Sequence, residues 1–336
     1  MKDERIQMGH GSGGKLSHDL IADIMLPAFK NPILAEMHDG AKLQIQAAKL
    51  AFTTDSFIVK PVFFPGGDIG KLSVCGTVND LAMTGAVPLY LSVAFILEEG
   101  FPVQDLKTIV QSIQTAAAEA GVFIVTGDTK VAERGAVDGI YINTAGIGKI
   151  MDDVDITPAR VHAGQDIILS GHIGDHAVSV MAERHGITLP QAITSDCAPL
   201  NGLVKEMLLA VPQISILRDP TRGGVATILN EIASQAKVGI LLKETAIPIR
   251  PEVAAVCDML GFDPLYLANE GKILAFVDSA YSEQLVGVMH QHQYGRDARI
   301  IGSVTANNRG SVGLRTTIGG VRLLDMLASD QLPRIC

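Results

Sequence analysis

The chain has 336 residues, room for two domains at about 150 residues each. Hydrophobic residues make up 47% and charged residues 19%, so packed cores rather than disorder are expected. The formal charge of −9, from 27 Lys plus Arg against 36 Asp plus Glu, together with no Trp and 5 Tyr, argues against a nucleic-acid binder.

After a glycine-rich start, Leu16, Leu20, Ile21, Ile24 and Met25 recur at helical spacing, and Asp39-Gly40 marks a turn. LAFTT (50–54) reads as a strand ending at Asp55. A helix is predicted over Ile69–Thr84 and a strand over Leu89–Leu97. A second helix opens at Pro102, carries the stripe Leu106, Ile109, Val110, Ile113 and Ala117, and closes at Gly121. VFIVT (122–126) reads as a strand leading into a GDTK loop, with another strand near 139–148. The acidic, aperiodic segment 151–164 marks a domain boundary. Beyond it come a strand at 166–170, a loop GHIGDHA, and helices near 199–211 and 224–236. VGILLK and KILAFVD read as strands, a helix falls near 281–291, and ARIIGSV is a further strand. The last residues lack an apolar period and are expected to form a mobile tail.

No apolar run reaches the roughly 18 residues of a membrane helix, and MKDERIQMGHGSGGK has no apolar h-region, so a cytoplasmic chain is expected. Cys75, Cys197, Cys257 and Cys336 form no CxxC pair, which argues against a zinc site or a disulfide framework. The first three sit in apolar surroundings and are expected in the core, whereas Cys336 is the last residue. On a tail of about ten residues at about 3.3 Å each it sweeps about 30 Å, which suits a tethered carrier of a thioester-like group. His10, His172 and His176 occur in glycine-rich segments without metal-ligand spacing.

Acidic residues stand where apolar segments leave little else polar: Asp55, Asp80, Asp128 and Asp219. Each fits a cap or strand end. Were they to converge, their repulsion would call for a hard cation, and Mg²⁺, with its preference for oxygen ligands and nucleotide phosphates, fits that description. GHGSGGK, with Gly11, Ser12, Gly13, Gly14 and Lys15, suits phosphate wrapping or a flexible leader. TRGG, with Thr221 and Arg222, opens a helix after Asp219 and suits either an anion or a tight turn. GDTK and NEGK place Lys130 and Glu270 on loops, as a proton-transfer couple or as surface charges.

Taken in order, GHGSGGK, FTTDSF, FFPGGDIGKLSVCGTVNDLAMTGA, FILEEG, TGDTK, NTAGIG, SGHIGDHA, RDPTRGG, NEGK and the terminal LPRIC resemble the HypE family. These are carbamoyl dehydratases of nickel–iron hydrogenase maturation, within the aminoimidazole ribonucleotide synthetase superfamily. The match runs nearly the whole length, and the terminal PRIC is its most specific element. The resemblance implies a two-domain α+β / α/β fold, with a PurM-like N-terminal ATP-binding domain and a C-terminal α/β domain. It divides the chain into a glycine-rich segment and helix (1–40), an ATP-binding, dimerising domain (41–155), a C-terminal domain (156–325) and a tail bearing Cys336 (326–336).

The resemblance further implies that Cys336 receives a carbamoyl group from a HypF-type carbamoyltransferase. ATP then phosphorylates the carbamoyl oxygen, phosphate leaves, and the resulting thiocyanate supplies cyanide to iron on a HypC–HypD complex. Cys336, Lys130 and Glu270 would be catalytic. Gly11 to Lys15, Asn79, Thr129, Thr221 and Arg222 would bind ATP, and Asp55, Asp80, Asp128 and Asp219 would hold Mg²⁺. Asp68 in GGDIG matches a metal-binding acid of selenophosphate synthetases, but HypE-like proteins often carry Asn there, so it stays outside the metal set. Two other readings are a superfamily phosphotransferase or synthetase acting on a free small molecule, which has no need of the terminal Cys, and a non-enzymatic thiol carrier.

Overall fold

The computed structural model describes residues 5–7, 20–31, 49–187 and 193–326. Its first half is built on a four-stranded sheet in the order β1-β6-β4-β5. The strands are β1 (Leu50–Phe57), β4 (Ala86–Glu98), β5 (Phe123–Ala132) and β6 (Ile140–Ile150), while β2 (Phe63–Phe64) and β3 (Gly67–Asp68) form a separate small ribbon. Only the β4–β5 pairing is parallel, and the helix that links those two strands makes that crossover possible.

Helices α1 (Ile69–Met83) and α2 (Val103–Ala120) cover one face of this sheet. In α1 the buried residues run all round the helix, as its charge-poor sequence predicts for a helix enclosed on every side. Asp68 caps it, accepting from Gly70 N at 2.7 Å and Lys71 N at 3.0 Å. Gly76 is required where α1 crosses β1, because a Cβ there would stand 2.8 Å from the Phe57 ring. By contrast α2 buries one stripe and ends at Gly121 in the left-handed conformation, φ 71°.

The second half holds a seven-stranded sheet in the order β13-β12-β9-β11-β7-β10-β8. In chain order its elements are β7 (Gln165–Leu169), α3 (Asp175–His185), α4 (Asn201–Ala210), β8 (Ile216–Arg218), α5 (Gly224–Ala236), β9 (Gly239–Lys243) and α6 (Pro251–Leu260). After these come β10 (Leu274–Asp278), α7 (Ser279–Gln291), β11 (Arg299–Thr305), β12 (Val312–Arg315) and β13 (Val321–Leu324). Alternate residues of its central strands enter two different cores. Ile167, Leu169, Leu274 and Phe276 pack with α5 on one side, and Ile168, Ala275 and Val277 pack with α4 and α7 on the other. A strand covered on both faces has no polar side to show, which is why KILAFVD reads as a continuous apolar run.

Several expectations from the sequence need correction. Asp55 lies inside β1 rather than after it, and GDTK is not a loop, since β5 continues beside β4 until Ala132 pairs with Glu98. Helices α3 and α6 and the β12–β13 hairpin have no counterpart in the expected elements. His176 stands on α3, fully buried, not in a glycine loop. Cys75, Cys197 and Cys257 are buried free thiols, as expected. Leu16 and the Asp39-Gly40 turn lie outside the described residues, as does the tail beyond Met326. Among the described residues no helix is long and apolar enough to cross a membrane.

Candidate active site

Four chain segments that are distant in sequence meet at one cleft of about 390 Å³, lined by Asp55, Asp80, Asp219, Thr221, Arg222 and Glu270. The two halves of the molecule both contribute. β1 supplies Asp55, and α1 supplies Asp80 a turn before its end. Asp219 follows β8, Thr221 and Arg222 lead into α5, and Glu270 sits on the loop before β10. The TRGG turn can be built only with glycine. Gly223 and Gly224 have φ of 73° and 61°, and a Cβ on Gly224 would lie 2.5 Å from Leu265 O.

The cleft is electrostatically one-sided. Burial pushes the Asp55 carboxyl above its ordinary range, against an opposing hydrogen bond from Ser56 N at 2.9 Å and the Arg222 guanidinium at 3.9 Å. Burial likewise raises Asp80, although its Oδ2 accepts from Thr53 Oγ1 at 2.9 Å, and the charge of Asp55 adds to the rise. Burial, then Asp80 and Asp55, push Asp219 up to about 7. Glu270 is driven well above the usual carboxylate range, first by burial and then by Cys197 and neighbouring acids including Asp219 and Asp55. Carboxyls that raise one another's pKa in this way define a site that gains from an arriving cation.

Mg²⁺ fits that donor set as hard oxygen chemistry. Among the described residues no group of three His, Cys, Asp or Glu side chains is disposed to hold a metal by itself. Mg²⁺ usually binds through one or two carboxylates plus substrate phosphates.

Other expected site residues fall elsewhere. Asp128, Thr129 and Lys130 lie within edge strand β5 and do not line the cleft; Lys130 Nζ is 3.6 Å from Asp128 Oδ1, and both side chains are exposed. Asn79 is buried and its amide is committed. Nδ2 donates to Ala198 O at 3.1 Å and Glu270 O at 3.3 Å, and Oδ1 accepts from Leu200 N at 2.8 Å. In this arrangement it straps α1 to the second half instead of facing the cleft. Asp68 is committed as the α1 cap, with Ser112 donating to its other oxygen. Gly11, Ser12, Gly13, Gly14, Lys15 and Cys336 lie outside the described residues.

Sequence reasoning passed over a second carboxylate behind the Glu270 loop. Asp196 Oδ1 accepts from Glu270 N at 3.2 Å, and Asp196 Oδ2 lies 3.0 Å from Lys272 Nζ. Its only signal in the sequence was an acid next to Cys197 in an otherwise uncharged stretch.

Residues 37–150 match the AIR synthase related protein N-terminal domain, and residues 162–315 match the corresponding C-terminal domain. A carbamoyl dehydratase HypE from Cupriavidus necator is 50% identical, the alignment covering 100% of this chain and 96% of that protein. The crystal structure of a hydrogenase maturation protein HypE in complex with ATP superposes with TM-score 0.95 at 48% identity, over 98% of this chain and 99% of that one. A HypE chain from a HypE–HypF complex superposes with TM-score 0.81 at 48% identity, over 91% of this chain and 99% of that one. With its PurM-like two-domain architecture and this full-length similarity, the chain belongs to the HypE family of carbamoyl dehydratases, within the AIR synthase related proteins.

Proposed function

We propose that this protein converts a carbamoyl group carried on the Cys336 thiol into a thiocyanate at the expense of ATP, as the cyanide-forming step of nickel–iron hydrogenase maturation. The observation that carries the reading is the convergence of Asp55, Asp80, Asp219 and Glu270 on one cleft between the two halves of the chain. The balanced change is R–S–C(=O)NH₂ plus ATP to R–S–C≡N plus ADP and inorganic phosphate. The carbamoyl oxygen is a poor leaving group, and transfer of the γ-phosphoryl group makes it a good one. Its C–O bond then breaks as the two N–H protons are lost.

The residues divide this work. The Gly11–Lys15 loop, Thr129, Thr221 and Arg222 bind the nucleotide, with Arg222 and the start of α5 offering positive charge to phosphates. Asp55, Asp80, Asp128 and Asp219 would hold Mg²⁺, whose charge offsets that of the transferring phosphoryl group. Asn79 supports this side of the cleft from within the wall. Lys130 and Glu270 move the amide protons. Burial, with Cys197 and the neighbouring acids, favours the protonated form of Glu270, which can donate a hydrogen bond. Its ionised, proton-accepting form is favoured as positive charge arrives beside it. Once nucleotide and the carbamoylated thiol fill the cleft, water is kept from the phosphorylated intermediate.

Asp128 and Lys130 stand on the open face of the first sheet. That face carries an apolar row, Phe52 beside Ile147, Ile147 beside Tyr90 and Tyr90 beside Phe123, with Phe52 71% and Phe123 54% exposed. We assign it to a homodimer contact, through which a second copy brings Asp128 and Lys130 towards the cleft. The domain limits are 41–155 and 156–325, flanked by the N-terminal segment 1–40 and the tail 326–336. The protein works in the cytoplasm, accepts its carbamoyl group from a HypF-type protein and delivers cyanide to a HypC–HypD complex.

Intact-mass spectrometry tests this directly. With the carbamoyl-donor system the chain should gain about 43 Da, and ATP should then remove about 18 Da, as expected for a covalent thiol adduct. The Cys336→Ala variant should show neither change while still binding ATP. Modification at Cys75, Cys197 or Cys257 instead would refute the assignment. ATP consumption by Cys336→Ala on a free small substrate would favour the other superfamily reading.

A further inference from the structure

The 269–272 loop is clamped on every side. Asn269 is fully buried; its backbone N and its Nδ2 donate to Pro220 O at 3.1 and 3.0 Å, and its Oδ1 accepts from Gly174 N at 2.8 Å. This fixes the loop to the residue following Asp219. Gly271 passes so close to the 196 peptide that a Cβ would stand 1.8 Å from Asp196 O. The Glu270 peptide itself is held from both ends, its N–H by Asp196 Oδ1 at 3.2 Å and its carbonyl by Asn79 Nδ2 at 3.3 Å.

Asp196 is in turn held by Lys272, at 3.0 Å, and their side chains are only 3% and 12% exposed. Neither lines the cleft that contains Glu270. Both line a second cavity of about 300 Å³ on the other side of the loop, together with Lys71, Asp175 and Arg250. The ion pair is therefore placed behind Glu270, reachable from its own cavity and out of reach of anything in the cleft.

We propose that the Asp196–Lys272 ion pair is a positioning device for Glu270: it fixes the Glu270 peptide so that the carboxyl stays aimed into the cleft, and neither member touches the substrate. This rests on the reading of Glu270 as a proton-transfer group in dehydration at Cys336. Lys272 neutralises the buried Asp196 charge, and Asp196, so held, anchors the Glu270 N–H. Removing the ammonium frees Asp196 to seek other donors and releases Glu270.

The test measures single-turnover dehydration of the carbamoylated full-length chain by intact mass, with ATP dependence, for wild type, Lys272→Ala, Lys272→Met, Lys272→Arg, Asp196→Asn and Glu270→Gln. A displacement of about 1 Å at a reacting group costs about 10²-fold, so Lys272→Ala, Lys272→Met and Asp196→Asn should lose about that factor in rate. Their half-saturating ATP concentration should stay within about threefold, because the cleft residues are unchanged, and Lys272→Arg should retain most of the rate. The second cavity gives access for repair. Propylammonium should restore Lys272→Ala by about tenfold, whereas propanol, of equal size and no charge, should not. Neither additive should restore Glu270→Gln.

Wild-type rates in Lys272→Met and Asp196→Asn, with Glu270→Gln impaired, would overturn the positioning role and leave the function intact. Equal restoration by propanol and propylammonium would reduce the pair to packing and overturn it as well. A wild-type chain that binds ATP but never dehydrates its carbamoyl group would overturn the functional reading, and this inference with it.

Discussion

Replacing Asp219 with Asn should stabilise the ligand-free protein, and more so as the pH rises. Asp219 follows β8 where Asp80 and Asp55 share its cleft, and its carboxyl is pushed from 3.8 up to about 7. A carboxyl whose folded-state pKa lies above its unfolded value favours the folded chain at low pH. That advantage is lost as the pH climbs from about 4 through 7, because the unfolded chain ionises first. At about 1.4 kcal/mol per unit, the full penalty at pH 8 is about 4 kcal/mol. The cleft admits solvent, which reduces this to about 1.5–2 kcal/mol. Asn keeps the shape of the protonated acid and removes the penalty. With about 2–4 °C per kcal/mol, Tm should rise by about 3–8 °C at pH 8, and by about 0.4 of that at pH 5. Scanning calorimetry in chelator, without nucleotide, measures both. An equal change at the two pH values, or a loss of stability at pH 8, would refute the account of the cleft as a store of uncompensated negative charge. The same variant should lose the thermal shift that Mg²⁺ and ATP confer, since the charge that costs stability is the charge that binds.

Asn79→Ala should cost about 2–4 kcal/mol by stranding the Leu200 N–H and the Ala198 and Glu270 carbonyls, read as a lower urea midpoint at unchanged slope. If the open sheet face is the proposed homodimer contact, Phe52→Asp should leave a monomer in sedimentation equilibrium with little change in the unfolding midpoint of each chain, because the residue is 71% exposed there. Gly271→Ala should slow dehydration by about 10²-fold, since its Cβ has no room beside Asp196 O and the Glu270 loop must move; single-turnover mass spectrometry reads the loss.

How much was legible in the sequence depended on the range of the forces involved. The stripe of α2 and its Gly121 stop follow from side-chain spacing within one element, and that helix stands close to where the periodicity placed it. GDTK was misjudged because its strand character comes from β4, a partner about 30 residues away in sequence, not from its own polar residues. Helix α3 was missed because its glycine-rich approach looked like a loop. The core that buries Val178 and Met181 is supplied by α6 and the 265–267 turn, invisible from the segment itself.

At the site the division is similar. An acid in an apolar stretch marks itself, since an unpaired buried charge is costly, and so Asp55, Asp80, Asp128 and Asp219 could be picked out one by one, although the fold leaves Asp128 exposed on β5. Their convergence could not, because it depends on how β1, α1 and β8 pack. Asp196 carries almost no local signal, and its importance arises only from a backbone N–H and an ammonium that the fold brings to it. For Asn79 the resemblance implies a role at the nucleotide, and only the packing shows that its amide also straps Ala198, Leu200 and Glu270 together. Composition and spacing decided which residues could do chemistry, because those properties belong to the residues themselves. Which of them meet, and with what charge, was decided by tertiary packing, because burial and Coulomb interactions act between groups the chain keeps far apart until it folds.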